Sequence, residues 1–380
     1  MSVYLDNNST TALDPQVLDA MLPYFKDIHG NPSSVHRYGR LTRNALEQAR
    51  DQVARLAGAR NEQVIFTSGG TEANNLAILG ALSHKAPAHL AVSSIEHASI
   101  IEPAKSLFKK GWKLDLVNVD SGCYILADNL KSVISEDTRL VSVMMANNET
   151  GVVQDIQSLK QGIQSDQILF HSDASQVAGK LPLNFNEINI DMMTLSSHKI
   201  YGPQGAGALI ANRSIELEPV LYGGGQERGI RNGTENIAAI VGFGAAAELA
   251  IKQLEETQKH LRSLRDQLER ELAAMQNITL FAAESDRLPN TLQFAVNDFD
   301  GEALLMLLDK KGIAVSSGSA CQSSAGAPSH VLLAMGVKPE LAKHAIRVSF
   351  GRNNIAKDVQ ILIEALKDIT LIQHKSMCVG

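Results

Sequence analysis

The sequence predicts an α/β protein with a mostly parallel, seven-stranded sheet between two layers of helices. From residue 64 to about 211, short apolar segments alternate with helical segments, as expected for parallel strands that are buried on both faces. From about residue 234 a long helical pattern begins, and a mixed α+β pattern follows it. These observations predict a large domain over 14–255 and a smaller α+β domain formed by 1–13 and 256–380.

Two helices precede the alternation. Asp14 is a good N-cap for the segment "LDPQVLDAMLPYF", and Pro15 suits its first helical position. A second helix is predicted over 39–57, where Gly58 ends the periodic pattern.

The predicted elements then follow in order. The seven strands are "QVIFTS", "HLAVSS", "KLDLVNV", "RLVSVMMA", "QILFHSDA", "DMMTLSS" and "GALIAN", and helices such as "TEANNLAILGAL", "ASIIEPAKSLFKK", "LADNLKSVIS" and "DIQSLKQGIQ" separate most of them. The second domain begins with one long helix or two in series, and its further strands are "ITLFAA", "NTLQFAV", "IAVSS" and "AIRVSF", with helices "EALLMLLDKK" and 355–370.

Composition limits the class of protein. With 44% hydrophobic and 20% charged residues, a net charge of -6 and a pI of about 6.0, the chain resembles an ordinary soluble protein and gives no electrostatic case for direct nucleic-acid binding. The longest apolar run, 237–247, is shorter than the ~20 residues that span a bilayer, and the first residues lack a signal pattern. We therefore expect a cytoplasmic protein with no membrane segment.

The three cysteines form no CxxC pair. A disulfide framework or a zinc knuckle is therefore not expected, and at least one thiol is free.

Polar residues follow the predicted strands, where ligands of parallel sheets bind. Gly69, Gly70, Thr71 and Glu72 follow the first strand, and they fit either a phosphate site or a plain helix cap. The later strands are followed by 95–97, 147–151, 173–176 and 196–199. Each segment alone has a structural explanation as a turn or a cap, but together they predict one polar crevice.

This set of residues meets the requirements of pyridoxal phosphate, which needs a Schiff-base lysine, a carboxylate at the ring nitrogen and a phosphate pocket. Lys199 is the candidate amine, Asp173 the candidate carboxylate, and Ser196 and His198 candidate phosphate contacts. A metal site formed by His171, Asp173 and His198 is the competing interpretation, but its spacing fits no standard zinc pattern, and we expect no metal.

Specific motifs occur along nearly the whole chain, beyond the residues named so far. They are "YLDNNSTT", "GNPSSVH", "FTSGGTEANN", "EHASI", "NNETGVVQDI", "HSDASQVAGKLP", "SSHKIYGPQGAGAL", "YGGGQERGIRNGTEN", "SSGSACQS" and "IRVSFGR". On these residues the chain resembles the NifS/IscS cysteine desulfurases, which are class V, fold-type I enzymes that depend on pyridoxal phosphate.

The resemblance implies a role for each matching residue. Lys199 carries the cofactor, Asp173 binds its ring nitrogen, and His97 stacks on the ring and helps to move protons. The other implied contacts are Gln176 and Asn148 near the ring hydroxyl, Gly70, Thr71, Ser196 and His198 around the phosphate, and Asn31 and Arg347 at the substrate carboxylate. Thr234 reaches the phosphate of a neighbouring subunit, which implies a homodimer.

Cys321, in the small-residue run "SSGSACQSSAGAPS", is the implied nucleophile. In the family this cysteine takes sulfur from the L-cysteine substrate, so that L-alanine leaves and the persulfide passes its sulfur to an acceptor protein. From the residues alone, the segment could equally be a turn with an incidental thiol. Cys123 and Cys378 receive no role.

Other functions stay open. An aminotransferase or a selenocysteine lyase would keep Lys199 and Asp173 without requiring Cys321, although the length of the cysteine segment resembles the long-loop desulfurases. A non-catalytic regulator would be expected to lack one of these three residues. IscS-type enzymes usually carry a C-terminal extension that helps to dock an iron–sulfur scaffold, and from the ending "QHKSMCVG" we expect it to be missing here or replaced by a short tail. The acceptor stays open, because iron–sulfur assembly, tRNA thiolation and DNA phosphorothioation all draw on enzymes of this family.

Overall fold

A computed structural model describes residues 2–163, 165–297, 299–317 and 327–377. Its main sheet has seven strands in the order β2-β8-β7-β6-β5-β3-β4. The strands are β2 (Val64–Thr67), β3 (His89–Ser93), β4 (Lys113–Val117), β5 (Thr138–Ser142), β6 (Leu169–Asp173), β7 (Met192–Ser196) and β8 (Gly207–Ala211). The predicted α/β class and mostly parallel seven-stranded sheet are confirmed.

One strand departs from the parallel pattern. β8 runs antiparallel to both of its neighbours, β2 and β7, and the other pairings of this sheet are parallel. The short turn from β7 to β8 explains this direction, because a parallel return needs a crossover of a dozen or more residues. The residues after β3, β5, β6 and β7 therefore still meet at one edge of the sheet.

Helices cover the sheet and form much of the second part of the chain. They are α1 (Pro15–Lys26), α2 (Arg37–Ala57), α3 (Gly70–Asn75), α4 (Ala98–Phe108), α5 (Ala127–Val133), α6 (Ile156–Gln161), α7 (Phe185–Ile188), α8 (Ile237–Ala273), α9 (Gly301–Lys310), α10 (His330–Ala334), α11 (Pro339–Lys343) and α12 (Ala356–Met377). Asp14 caps α1 by accepting a hydrogen bond from the main-chain N–H of Gln16, and Gly58 ends α2 in the left-handed conformation. α3 continues as a π-helical turn over Leu76–Gly80.

The smaller sheet has the order β12-β13-β10-β9 and is antiparallel. Its strands are β9 (Ile278–Phe281), β10 (Thr291–Val296), β12 (Ser316–Ser317) and β13 (Ala345–Ser349). The segment "IAVSS", predicted as one strand, is divided: β11 (Ile313–Ala314) pairs in parallel with β1 (Val3–Tyr4), and β12 pairs with β13. The chain thus changes its partner strand within five residues.

Helix α8 joins the two parts of the molecule as a single helix. Its first turns, including Phe243 and Ala247, pack in the core of the main sheet, while Leu261 and Leu268 pack in a second core with β1, β10 and β13. The domain division at residue 255 stays a prediction, and it falls between these two sets of contacts. In the described part of the chain, α8 alone is long and apolar enough to cross a membrane, and its contacts with both cores account for its apolar residues.

Candidate active site

An open cleft of about 480 Å³ lies at the carboxyl edge of the main sheet. This volume is within the ~300–1,000 Å³ usual for small-molecule sites. Nine of the residues predicted from the sequence line it: Gly70, Thr71, His97, Asn148, Asp173, Gln176, Ser196, His198 and Lys199. Segments that are more than 100 residues apart in the chain therefore meet in one cleft, as the strand order predicts.

Lys199 lies in a 3₁₀ turn (Ser197–Lys199) directly after β7. Its Nζ donates hydrogen bonds to the main-chain oxygens of Asn8 at 2.6 Å and Ser9 at 2.7 Å. The N-terminal segment thus forms one wall of the cleft and orients the amine. This contact was not predictable from the sequence, because a main-chain acceptor does not depend on residue type.

Asp173 ends β6, with a carboxylate that is held on both oxygens. Oδ1 accepts from the main-chain N–H of Ser175 at 2.9 Å, and Oδ2 accepts from Asn74 Nδ2 at 2.7 Å. The same Asn74 nitrogen donates to Ser99 Oγ at 2.8 Å. Asn74, which the sequence analysis missed as a site residue, therefore fixes the position of this carboxylate.

His97 is the N-cap of α4 and is held through Nδ1. This nitrogen accepts from the main-chain N–H of Ser99 at 3.1 Å and lies 2.8 Å from Ser99 Oγ. Since a main-chain N–H can only donate, Nδ1 is an acceptor and the neutral ring carries its proton on Nε2. This arrangement suits a side chain that passes a proton through Nε2.

Two buried hydroxyl groups beside Gly70 have no hydrogen-bond partner within the described residues: Ser175 Oγ and Ser196 Oγ. A Cβ atom added to Gly70 would lie 3.3 Å from Ser175 Oγ and 3.5 Å from the Ser196 Cβ, so a side chain here would fill the space between them. Buried polar groups are normally satisfied. The pocket at Gly70 is therefore built for a polar ligand.

His198 also lines the cleft. Burial, followed by the positive charges of Lys199 and Lys180, lowers the pKa of its ring to about 4. Its Nδ1 lies 3.1 Å from Thr10 Oγ1. His198 is thus neutral at ordinary pH and contributes a hydrogen bond rather than a charge.

Four of the predicted residues do not line the cleft as the structure describes it. Asn31 is exposed, with Oδ1 accepting from the main-chain N–H of Ser33, and Thr234 is exposed in the segment before α8. Arg347 is buried behind the cleft wall, where it donates to the main-chain oxygen of Asn148 at 3.1 Å and to Ser9 Oγ at 2.7 Å. Cys321, like Cys378, lies outside the described residues.

The metal interpretation receives no geometric support. The two ring nitrogens of His171 lie 2.9 Å from Ser142 Oγ and 3.0 Å from Thr194 Oγ1, inside the sheet. No group of three or more His, Cys, Asp or Glu side chains in the described ranges could hold a metal ion. Burial raises the pKa of the Cys123 thiol to about 12, so this cysteine is inert.

This chain is similar to known proteins over almost its whole length. The family model described as aminotransferase class-V matches residues 3–362. A cysteine desulfurase IscS of Dictyoglomus turgidum is 42% identical over 371 residues, which cover 97% of this chain and 94% of that protein.

Two solved structures are similar in fold and sequence. A NifS-like protein superposes with a TM-score of 0.92 at 34% identity, over 98% of this chain and 100% of that one. The protein SspA in complex with cysteine superposes with a TM-score of 0.82 at 31% identity, over 93% and 100%. The chain therefore belongs to the class V aminotransferase family and, within it, to the cysteine desulfurases of the IscS and NifS type.

Proposed function

We propose that this protein is a cysteine desulfurase that removes sulfur from L-cysteine with the help of pyridoxal phosphate and passes it on as a persulfide of Cys321. The observation that carries the proposal is the meeting of Lys199, Asp173 and His97 in one cleft of a chain that also contains the "SSGSACQS" motif. The class V membership and the cysteine bound to the related SspA support the same substrate.

The residues of the cleft fit the cofactor. The hydroxyls of Ser175 and Ser196 beside Gly70, which have no partner among the described residues, offer donors for a phosphate group, and Thr71 and His198 line the same cleft. The Asp173 carboxylate can bind a protonated ring nitrogen, and Gln176 and Asn148 line the wall suited to the ring hydroxyl. Lys199 supplies the amine.

When bound, the cofactor supplies an electron sink for the carbon atoms of the amino acid. Asp173 would stabilise the charged ring nitrogen, with Asn74 and the Ser175 N–H keeping the carboxylate in place. His97 would cover the ring and transfer a proton through Nε2, and the Lys199 amine would move a proton at the substrate carbon. Arg347, with Asn31, is proposed to attract the substrate carboxylate.

Cys321 would perform the sulfur transfer. Its thiolate attacks the sulfur of the substrate, a new S–S bond forms, and the C–S bond of the substrate breaks with its electron pair left on carbon. A proton then completes the methyl group of L-alanine, and the enzyme keeps the sulfur as a persulfide. Covalent capture divides one difficult step into two easier ones.

A homodimer is part of the proposal. Thr234 is exposed and lies apart from the cleft of its own chain, so a second subunit could use its hydroxyl at the phosphate. Tyr222, in the same segment, is 83% exposed, which a subunit contact would cover. We further propose a cytoplasmic location and a sulfur-acceptor protein of an iron–sulfur assembly or thiolation pathway.

The test is the release of L-alanine and sulfide from L-cysteine in the presence of a thiol reductant. We expect the wild type and Cys123→Ala to form both products, because the buried Cys123 thiol takes no part. Cys321→Ala should form neither.

A fully active Cys321→Ala variant would contradict the proposal that Cys321 is the nucleophile of a desulfurase. Other amino acids and selenocysteine would then be tested as substrates. Lys199→Ala should lose both the colour of the bound cofactor and turnover, and a yellow, active variant would contradict the cofactor assignment.

A further inference from the structure

Glu72 places a negative charge next to the turn that shapes the proposed phosphate pocket. It follows Gly70 by two residues, and both residues line the cleft. Its Oε2 accepts from the main-chain N–H of Ser68 at 2.8 Å, so the carboxylate folds back over the turn that contains Gly69 and Gly70. A phosphate ester carries about −1.5 to −2 charges at pH 7, and a like charge nearby weakens its binding. A carboxylate at this position therefore requires an explanation.

Arg231 neutralises this carboxylate through a bidentate contact. Its Nε donates to Glu72 Oε1 at 2.7 Å, and its Nη2 donates to Glu72 Oε2 at 3.3 Å. The two side chains are 22% and 17% exposed, so water screens this pair less than it screens a surface ion pair. Burial alone would raise the pKa of Glu72, but the hydrogen bonds from Arg231 and Ser68 outweigh burial and lower this pKa. The same contact raises the pKa of Arg231, so both partners keep their charges.

The cleft offers little other positive charge to a phosphate. Among the described residues that line it, Lys199 is the only lysine or arginine, and the proposed function commits its amine to the cofactor aldehyde. Burial and nearby lysines lower the pKa of His198 to about 4, so this proposed phosphate contact is neutral. Asp173 is the other acidic side chain of the cleft, and it is proposed for the ring nitrogen. The charge that a phosphate meets therefore depends on whether Glu72 is neutralised.

The segment that carries Arg231 has anchors of its own. Glu227 accepts from two nitrogens of Arg50 at 2.7 and 2.8 Å. Asn232 Oδ1 accepts from the main-chain N–H of Gly225 at 2.6 Å. These contacts hold the segment without the ion pair, so the main effect of the ion pair falls on the carboxylate in the cleft.

We propose that Arg231 is a positioning residue for the cofactor phosphate: it cancels the charge of Glu72 and holds that carboxylate on the turn at Gly70. The pair thereby lets the cleft accept a doubly charged phosphate group, which an uncompensated carboxylate would repel. The inference rests on the proposed function, since it concerns the binding of pyridoxal phosphate.

The test compares pyridoxal phosphate with pyridoxal, which has the same ring and aldehyde but no phosphate. Absorbance titration of the cofactor-free protein gives the Kd of each compound. In Arg231→Met the Kd for pyridoxal phosphate should rise about tenfold or more, because Glu72 is left without its counter-charge. The Kd for pyridoxal should change less than about twofold, since this compound brings no negative phosphate to the pocket.

Three further variants complete the test. Adding Glu72→Gln to Arg231→Met removes the uncompensated charge, so the double variant should recover most of the lost affinity. Arg231→Lys keeps the charge without the planar fork and should weaken binding less than Arg231→Met. Arg55→Met is the control, because Arg55 pairs with Glu248 and does not line the cleft, and neither Kd should change. Circular dichroism and thermal unfolding establish that each variant is folded.

Three results would overturn the inference. They are an unchanged Kd for pyridoxal phosphate in a folded Arg231→Met variant, an equal loss of affinity for both compounds, and a double variant that binds as weakly as Arg231→Met. The last result would indicate a displaced Thr234 or another structural effect, which Glu72→Gln cannot reverse. Failure of the proposed function gives a different result, because the wild type itself would then show no absorbance change with either compound.

Discussion

The side-chain amide of Asn74 donates to the Asp173 carboxylate at 2.7 Å and to Ser99 Oγ at 2.8 Å. Ser99 in turn holds His97 through Nδ1. One buried amide therefore supports both the carboxylate proposed for the ring nitrogen and the imidazole proposed for the ring face. All four residues of this connection line the cleft.

Asn74→Ala should consequently disturb both groups at once. A buried hydrogen bond to a charged group contributes about 1.5–3 kcal/mol, so we expect kcat to fall about 10- to 100-fold and the affinity for pyridoxal phosphate to weaken. The assay is steady-state alanine formation together with cofactor titration by absorbance. Asn75→Ala is the matched control, since within the described residues the Asn75 amide donates to the main-chain oxygen of Thr71 and to no other group. Wild-type kcat and cofactor affinity in Asn74→Ala would show that the amide has no such role.

The buried Arg347 guanidinium, behind the cleft wall, is already partly engaged. Nη2 donates to Asp6 Oδ1 and to Ser9 Oγ, both at 2.7 Å, and Nη1 donates to the main-chain oxygen of Asn148. Both hydrogens of Nη2 are used, so a substrate carboxylate has to displace one of these acceptors to bind in a bidentate manner.

Asp6→Asn tests this competition. The amide of this variant would retain an acceptor for Arg347 but lose the negative charge, so the KM for L-cysteine should fall about three- to tenfold with little change in kcat. Arg347→Lys should raise KM, because an ammonium lacks the planar fork. If KM rises in Asp6→Asn as it does in Arg347→Lys, Asp6 serves to hold Arg347 rather than to compete with substrate.

Residue pattern alone was sufficient to predict much of this architecture. The strands are buried and apolar, and the carboxyl ends of parallel strands meet at one edge of the sheet, so the sequence predicts that side chains such as Asp173 and Lys199 lie close together. The division of "IAVSS" into two strands was not predictable, since it depends on which distant strands, β1 and β13, are available as partners.

The missed site residues share a different cause. Asn8 acts through its main-chain oxygen, and Asn74 acts from the second turn of a helix. Neither position lies directly after a strand. Their importance comes from contacts between segments that are far apart in the chain, and such contacts leave no periodic signal.

Gly207, the first residue of β8, gives a steric test of the phosphate pocket. A Cβ here would lie 2.6 Å from the Cα and the carbonyl carbon of Gly69, closer than folded proteins tolerate. Gly207→Ala should therefore displace the Gly69–Gly70 segment and raise the Kd for pyridoxal phosphate about tenfold or more. Gly162→Ala, where the nearest atom is 3.3 Å away, is the control. A Gly207→Ala variant with wild-type Kd would mean that this segment does not shape the pocket.

Glu96 is a fully buried carboxyl directly before His97, and its side chain holds the ends of two strands. Oε1 accepts from Ser93 Oγ and from the main-chain N–H of Met144, while Oε2 has no partner among the described residues. Burial, with a contribution from the Asp173 charge, raises the pKa of Glu96 from 4.5 to about 8. The folded protein thus prefers the protonated acid at neutral pH.

The sign of the pH dependence follows from this preference. Because the folded pKa lies above the unfolded one, the stabilisation is complete below pH 4.5 and is lost as the pH rises through about 8. The free energy involved is at most about 5 kcal/mol. Glu96→Gln imitates the protonated acid, so the variant should lose less stability than the wild type between pH 5 and 9. Urea unfolding at pH 5, 7 and 9 measures the free energy of unfolding of both proteins. Subtracting the two pH profiles removes the contributions of other titrating groups, such as Glu149, because both proteins share them. Parallel pH profiles for the two proteins would show that Glu96 is already ionised in the folded state.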